Sequence, residues 1–245
     1  MAPSLTTGGG RTLAWREIGA GPPLVCHPGG PGASPAYFGD LPELAAERTL
    51  LLLDPRGTGD SDRPPGASAY DLEQYAADVE AVRKHLGIER LDLLGHSHGG
   101  FVAMSWAGDA MDALRAHQEG RYASDEELAA LYMREGKLFF SVGADTSLVV
   151  ETLASAGINA DALRHFNEHV ASEMDLRAPL ANVDAPVLVV TGELDPFGES
   201  TAREISDAMP QATLVVLAGA EHFPFLEPAN RAVWSRTVVD FLAGG

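Results

Sequence analysis

Short apolar runs recur along the chain at 11–18, 23–27, 49–53, 91–94, 187–191 and 213–217, separated by stretches rich in Gly, Pro, Asp and Ser. Runs of this length with turn residues between them read as strands. Between the third and fourth the period changes: Leu72, Tyr75, Val79, Val82 and Leu86 fall three and four apart and so share one face of a helix. Asp71 is placed to cap that helix, with Gln74 reaching back. Thr201 and Glu204 stand at capping-box spacing for a second helix that Pro210 ends, and a last helix covers about 228–242. Strands alternating with helices predict an α/β protein with a mostly parallel central sheet flanked by helices. From 108 to 178 strand signals give way to amphipathic patterns, Leu128, Leu131 and Tyr132 and then Leu163, Phe166 and Val170. This stretch is expected to be a helical cap insertion packed over the sheet, which leaves 1–107 and 179–245 as the core.

A chain of 245 residues, 45% hydrophobic and 21% charged, suits one α/β domain of enzyme size. The charge changes the picture of what it binds. Lys+Arg number 17 against 35 Asp+Glu, a formal net charge of -18, which disfavours nucleic acid and anionic membrane surfaces and favours a neutral or cationic small molecule or short peptide. No apolar run approaches the roughly 20 residues a membrane helix needs. Residues 1–16 carry Gly8-Gly9-Gly10 and early charges rather than a secretory core, so the expected location is cytoplasmic. The single Cys26 excludes an internal disulfide and is expected to be a buried structural side chain. Nothing in the pattern specifies an oligomeric state.

The strongest chemical signal is Gly95-His96-Ser97-His98-Gly99-Gly100, set between the apolar run 91–94 and the helix-compatible Phe101-Val102-Ala103-Met104. A serine on a sharp strand-to-helix turn needs small residues two before and two after it, so that the flanking segments do not collide. Ser97 is therefore the candidate nucleophile. A serine hydroxyl must pass its proton to a base, and an acid must orient that base. The run 187–191 leads into Gly192-Glu193-Leu194-Asp195-Pro196, a carboxylate loop at the C-terminal end of a strand. Asp195 is the preferred acid and Glu193 its local competitor. The run 213–217 opens into Ala218-Gly219-Ala220-Glu221-His222, which delivers an imidazole to the same edge. His222 is the candidate base.

Of the eight histidines, His96 and His98 flank the serine too tightly to take its proton. His85, His117, His165 and His169 lie on helical patterns, where surface placement is expected. The His96/His98 and His165/His169 spacings lack the accompanying Glu or Cys of a metal site, so no metal and no other cofactor is expected.

Together these residues resemble the α/β-hydrolase superfamily, specifically its proline iminopeptidase-like branch. His27-Pro28-Gly29-Gly30-Pro31-Gly32 resembles the branch's His-Gly-Gly-Pro-Gly loop, and Asp54-Pro55-Arg56-Gly57-Thr58-Gly59-Asp60-Ser61 its Asp-x-Arg-Gly-x-Gly-x-Ser loop. The resemblance implies an α/β-hydrolase fold with a helical cap and a triad in the chain order Ser97, Asp195, His222. Its oxyanion hole would use the backbone amides of Gly30 and of His98, the residue after the nucleophile. Pro28 lengthens the glycine loop relative to the family pattern, which leaves Gly29 or Gly30 as first donor. Gly29 otherwise borders the substrate or forms the turn. Arg56 is expected to pair with a carboxylate in a structural role.

Acidic cap residues in this branch bind a substrate's free ammonium. Glu168 is the candidate here, although a solvated face accounts for most of the acidic charges between 108 and 180. Family members also have a core strand after the nucleophile helix, and none is evident from Trp106 through 108–111. Either 138–142 replaces it or the sequence lacks a segment near 107–110. The implied activity is acyl-enzyme hydrolysis at the N-terminal, proline-like residue of a small peptide or aminoacyl amide. An esterase or lactonase acting on a small apolar ester would use the same triad, and a ligand-binding module on a hydrolase fold is the alternative outside enzymes.

Overall fold

In the computed structural model the described residues are 3–107, 159–171 and 176–244. Strands β1 (Ser4–Thr6), β2 (Thr12–Gly19), β3 (Pro23–His27), β4 (Thr49–Leu53) and β5 (Asp92–Gly95) form one sheet in the order β1-β2-β4-β3-β5. The β1–β2 and β2–β4 pairs are antiparallel, whereas β3 lies parallel to both β4 and β5. Strands β6 (Val187–Gly192) and β7 (Ala212–Leu217) form a second, parallel pair. Six of these strands, β2 to β7, lie where the apolar runs predict them, within a residue or so at each end. The short β1, with a single buried leucine, lies before the first of the predicted runs.

The continuous apolarity of β3 and β4 follows from coverage on both faces. Side chains alternate across a strand, so one run feeds two cores. Leu24, Cys26, Leu50 and Leu52 face Tyr37, Phe38, Leu44, Trp234 and Val238, bringing α1 (Pro42–Ala45) and α7 (Arg231–Ala243) onto one side. Val25, Leu51 and Leu53 face Tyr75, Val79, Val82 and Val102, bringing α2 (Leu72–Leu86) and α3 (His98–Ala107) onto the other. Cys26 is fully buried and burial pushes its thiol up to about 12, in keeping with a structural role. The first cluster also takes in Leu94, Leu188, Val190 and Val215 and thereby joins both sheet pieces.

Among the described residues β5 pairs only with β3, and β6 only with β7, so no strand lies between them. The side chains of β6 up to Val190 and of β5 from Leu93 onward are correspondingly half-buried, unlike those of β3 and β4. This is the place of the core strand that the chain pattern fails to supply. The alternative segment 138–142 lies outside the described residues, as do Leu128, Leu131, Tyr132 and most of the expected cap. What is described of that region packs directly on the core. Helix α4 (Ala160–His165) continues as a π turn through Phe166–Val170. Its Leu163 joins the first cluster and its Ala162 and Val170 the second.

The capping expectations need correction. Asp71 does occupy the N-cap position of α2, yet its side chain makes no cap hydrogen bond and instead meets His165 Nε2 at 2.5 Å. Gln74 turns to Arg56 rather than back to the cap. Both side chains bond side chains from distant segments in place of a backbone amide. Thr201 lies inside α6 (Gly198–Asp207), not at its start, where its hydroxyl donates to the Phe197 carbonyl at 2.8 Å. Helix α5 (Arg177–Leu180) is a single turn ahead of β6. No described helix is long and apolar enough to cross a membrane.

Arg56 is fully buried beneath α2. Its Nε donates to Asp78 Oδ2 at 2.7 Å, and its remaining nitrogens donate to the Ala69 and Gln74 carbonyls and to Gln74 Oε1. Such a pair costs much desolvation to build, so removing one partner is worse than never having had the pair. Asp78→Asn, which keeps the shape but strands the guanidinium charge, is expected to lower stability by about 3–5 kcal/mol. Urea denaturation measures this, and an unchanged midpoint would contradict it.

Candidate active site

The loops at the C-terminal ends of β3, β5, β6 and β7 converge. At the end of β5 the chain turns so tightly that a Cβ on Gly95 would lie 2.2 Å from the Gly99 carbonyl oxygen, and a Cβ on Gly99 would lie 2.2 Å from that of His27. Side chains cannot occupy those positions. Between them Ser97 adopts φ of 52°, a left-handed conformation that a non-glycine residue holds only where the surroundings enforce it. Helix α3 starts at His98, so its first amides point back toward the serine with the positive end of the helix dipole.

Asp195 and His222, which are 27 residues apart, meet with Oδ2 and Nδ1 at 3.0 Å. Asp195 Oδ1 accepts the Phe197 amide at 2.9 Å. Burial alone would raise the Asp195 pKa, but the hydrogen bond and charge of His222 and the Phe197 N–H outweigh it and hold the carboxyl below its ordinary value. A carboxylate can only accept, so the His222 proton sits on Nδ1 and the lone pair on Nε2. That is the tautomer a general base requires. Glu193, the competing carboxylate, instead accepts the Gly219 amide at 2.9 Å and ties the β6 loop to the β7 loop.

A Cβ on Gly29 would fall 2.8 Å from Ser97 Cβ, so the glycine loop lies directly against the serine. The Gly29 amide donates to the Tyr37 hydroxyl at 2.6 Å. No described group takes the amides of Gly30 or His98. With the Gly29 amide taken by Tyr37, Gly30 is left as the candidate first donor. The His98 side chain points away into the core, its ring 5.2 Å from that of Tyr75 and 4.9 Å from that of Phe166.

The histidines flanking the serine face opposite ways, His98 toward His27 and His96 toward Tyr37 and His222, so they cannot chelate. Among the described residues no group of three or more His, Cys, Asp or Glu could hold a metal ion. His165 is buried rather than at the surface as expected, because it pairs with Asp71. His85 is exposed, as expected, and His117 lies outside the described residues. Glu168 lies two residues beyond Phe166 and meets His169 at 3.5 Å. Tyr37 carries no signal in the sequence, and His96 is read there only as too close to the serine to take its proton. No spacing links positions 37 and 96, and only the fold brings them together.

The family of the α/β hydrolase fold matches residues 22–117. A proline iminopeptidase of Heyndrickxia coagulans is 23% identical over 267 aligned positions, covering 92% of each chain. The aligned length exceeds the 245 residues present here, so that relative carries residues this chain lacks. The dihydrolipoyllysine-residue acetyltransferase component of the acetoin cleaving system of Pseudomonas putida is 30% identical over 264 positions, covering 94% of this chain and 67% of the relative. Among solved structures, an esterase from Exiguobacterium antarcticum superimposes with a TM-score of 0.78 at 21% identity, covering 99% of this chain and 100% of the other. The chain belongs to the α/β-hydrolase superfamily. Within it, the chain is a hydrolase of the proline iminopeptidase-like branch.

Burial keeps the histidines around the serine neutral. It lowers His27 to about 4 and His96 to about 3, and it drives His98 well below its ordinary value. The unfolded chain takes up these protons near pH 6.5 while the folded core refuses them, so their contribution to stability is full above that pH and is lost as pH falls. Each histidine is expected to remove about 1.4 kcal/mol per pH unit, or roughly 2 kcal/mol between pH 6.5 and 5. Thermal melts across that range should show the decline, and His27→Gln should flatten it by one histidine's share. A melting temperature independent of pH would contradict this reading.

Proposed function

We propose that the protein is a serine hydrolase with Ser97 as nucleophile, His222 as general base and acid, and Asp195 as the group that orients it. The observation that carries this reading is the Asp195–His222 hydrogen bond at 3.0 Å, built on strand-end loops at the site where Ser97 is held in a positive-φ turn. The hydroxyl proton of Ser97 passes to His222 Nε2 as Oγ bonds the substrate carbonyl carbon. The amides of Gly30 and His98 receive the developing oxyanion, and Asp195 stabilises the imidazolium. The C–N or C–O bond then breaks as His222 returns the proton to the leaving group. Water attacks the acyl-enzyme by the same route, and its proton passes through His222 to Ser97 Oγ.

For the substrate, we favour the N-terminal, proline-like residue of a small peptide or aminoacyl amide. The naming of relatives such as that of H. coagulans supports it, with Glu168 as the proposed anchor for the ammonium. One observation favours a small apolar ester instead. Leu194 and Phe197 are each 57% exposed on the Asp195 loop, and the Phe197 ring lies 5.0 Å from that of His222. They offer an apolar surface beside the proposed base.

A fluorophosphonate is expected to form one adduct, on Ser97, and Ser97→Ala should lower kcat by up to about 10⁶-fold. Absence of the adduct in folded protein would overturn the mechanism and leave a binding module. Proline naphthylamide and a short p-nitrophenyl ester, assayed side by side, separate the substrate classes. Turnover of the ester alone would remove the aminopeptidase reading.

A further inference from the structure

Three hydrogen bonds run through the site without belonging to the triad. The Gly29 amide lies 2.6 Å from Tyr37 Oη, Tyr37 Oη lies 2.9 Å from His96 Nδ1, and His96 Nε2 lies 3.0 Å from the His222 carbonyl oxygen. The chemistry of the end groups fixes the direction of every link. A carbonyl only accepts, so His96 carries its proton on Nε2. A neutral imidazole then has only a lone pair on Nδ1, and a backbone amide only donates. The Tyr37 hydroxyl must therefore accept from Gly29 and donate to His96. Each group satisfies its neighbour, and the chain has one orientation.

The two ends belong to segments that the proposed reaction uses. One is the glycine loop, whose Gly29 amide is turned away from the serine while that of Gly30 is left for the oxyanion. The other is the backbone of the residue offered as base. Between them stands the residue that precedes the nucleophile. Tyr37 comes from a short 3-10 turn, Pro35–Phe38, whose entry Ser34 caps by accepting the Ala36 amide. Tyr37 and His96 are packed by Phe223 and Phe225, with ring centroids 4.8 to 6.2 Å apart.

We propose that Tyr37 and His96 are positioning residues: their one-way hydrogen-bond chain locks the glycine loop, the Ser97 turn and the His222 loop in register for catalysis. The assignment rests on the hydrolase reading above. Burial supports it by keeping His96 neutral and the Tyr37 hydroxyl protonated. A charged His96 would also oppose the imidazolium that His222 must form, since the two rings are 4.9 Å apart.

The test compares the parent protein with Y37F, H96Q and the double variant, with activity expressed per site titrated by fluorophosphonate so that misfolded molecules drop out. Y37F removes one hydroxyl and keeps the packing. It is expected to lower kcat about 10–100-fold while leaving KM little changed, because misplacement of a fraction of an ångström to one ångström acts on the transition state. The double variant should lose no more than the worse single one, since the chain breaks at either link. Unchanged kcat per titrated site in Y37F, or fully additive losses, would overturn the proposal. A second measurement reads the chain directly: ¹⁵N NMR of the parent's histidines should show His96 as the Nε2–H tautomer, and an Nδ1–H tautomer would overturn it. A correct tautomer in a protein that fluorophosphonate does not label would show that the hydrolase reading, not the hydrogen-bond chain, had failed.

Discussion

The close approach of the Gly99 backbone to the carbonyl of His27 is the contact on which the rest depends. It lets α3 start against the end of β3, and only then can the β5 chain reverse sharply enough to hold Ser97 at positive φ. Gly29 also lies against the serine, so that the glycine loop and the Ser97 turn adjoin. A methyl group at Gly95, Gly99 or Gly29 would meet backbone or the serine itself, and so the glycines here act by what they leave out.

Around that contact the molecule arranges its charges unevenly. The surface is strongly acidic, yet the interior near the serine is lined by neutral imidazoles, with one ionised carboxylate, Asp195, reserved for His222. A buried carboxylate elsewhere, Asp78, lies beneath α2 against Arg56 and braces the loop after β4. One of these carboxylates holds a loop and the other orients the proposed base. Both are sheltered from water, where hydrogen bonds to charged groups are strong.

The sheet is less regular than the site. Among the described residues a strand's place stands empty between β5 and β6, and side-chain packing through Leu94, Leu188 and Val190 joins the two pieces. The hydrogen bond from His96 to the His222 carbonyl crosses the same division at the level of the active site. Among the described residues, the two pieces at the site are joined by these contacts rather than by a continuous ladder.

Much of this was legible in the chain itself. Apolar run lengths located β2 to β7, and the three-and-four spacing located α2, because burial on a strand or helix face leaves a period in the sequence. Ser97, Asp195 and His222 were legible because each follows a strand signal at an end where loops gather. Capping was not legible: Asp71 and Gln74 had local partners available and took His165 and Arg56, which approach from distant segments. For the same reason His165 is buried against expectation. The commitment of the Gly29 amide to Tyr37 and the linkage of Tyr37 to His96 likewise came from tertiary structure alone. By itself the sequence determined which residues are candidates for reactive chemistry and on which strand ends they lie. Only the folded chain decided which donor meets which acceptor, because hydrogen bonds between positions far apart leave no periodic trace.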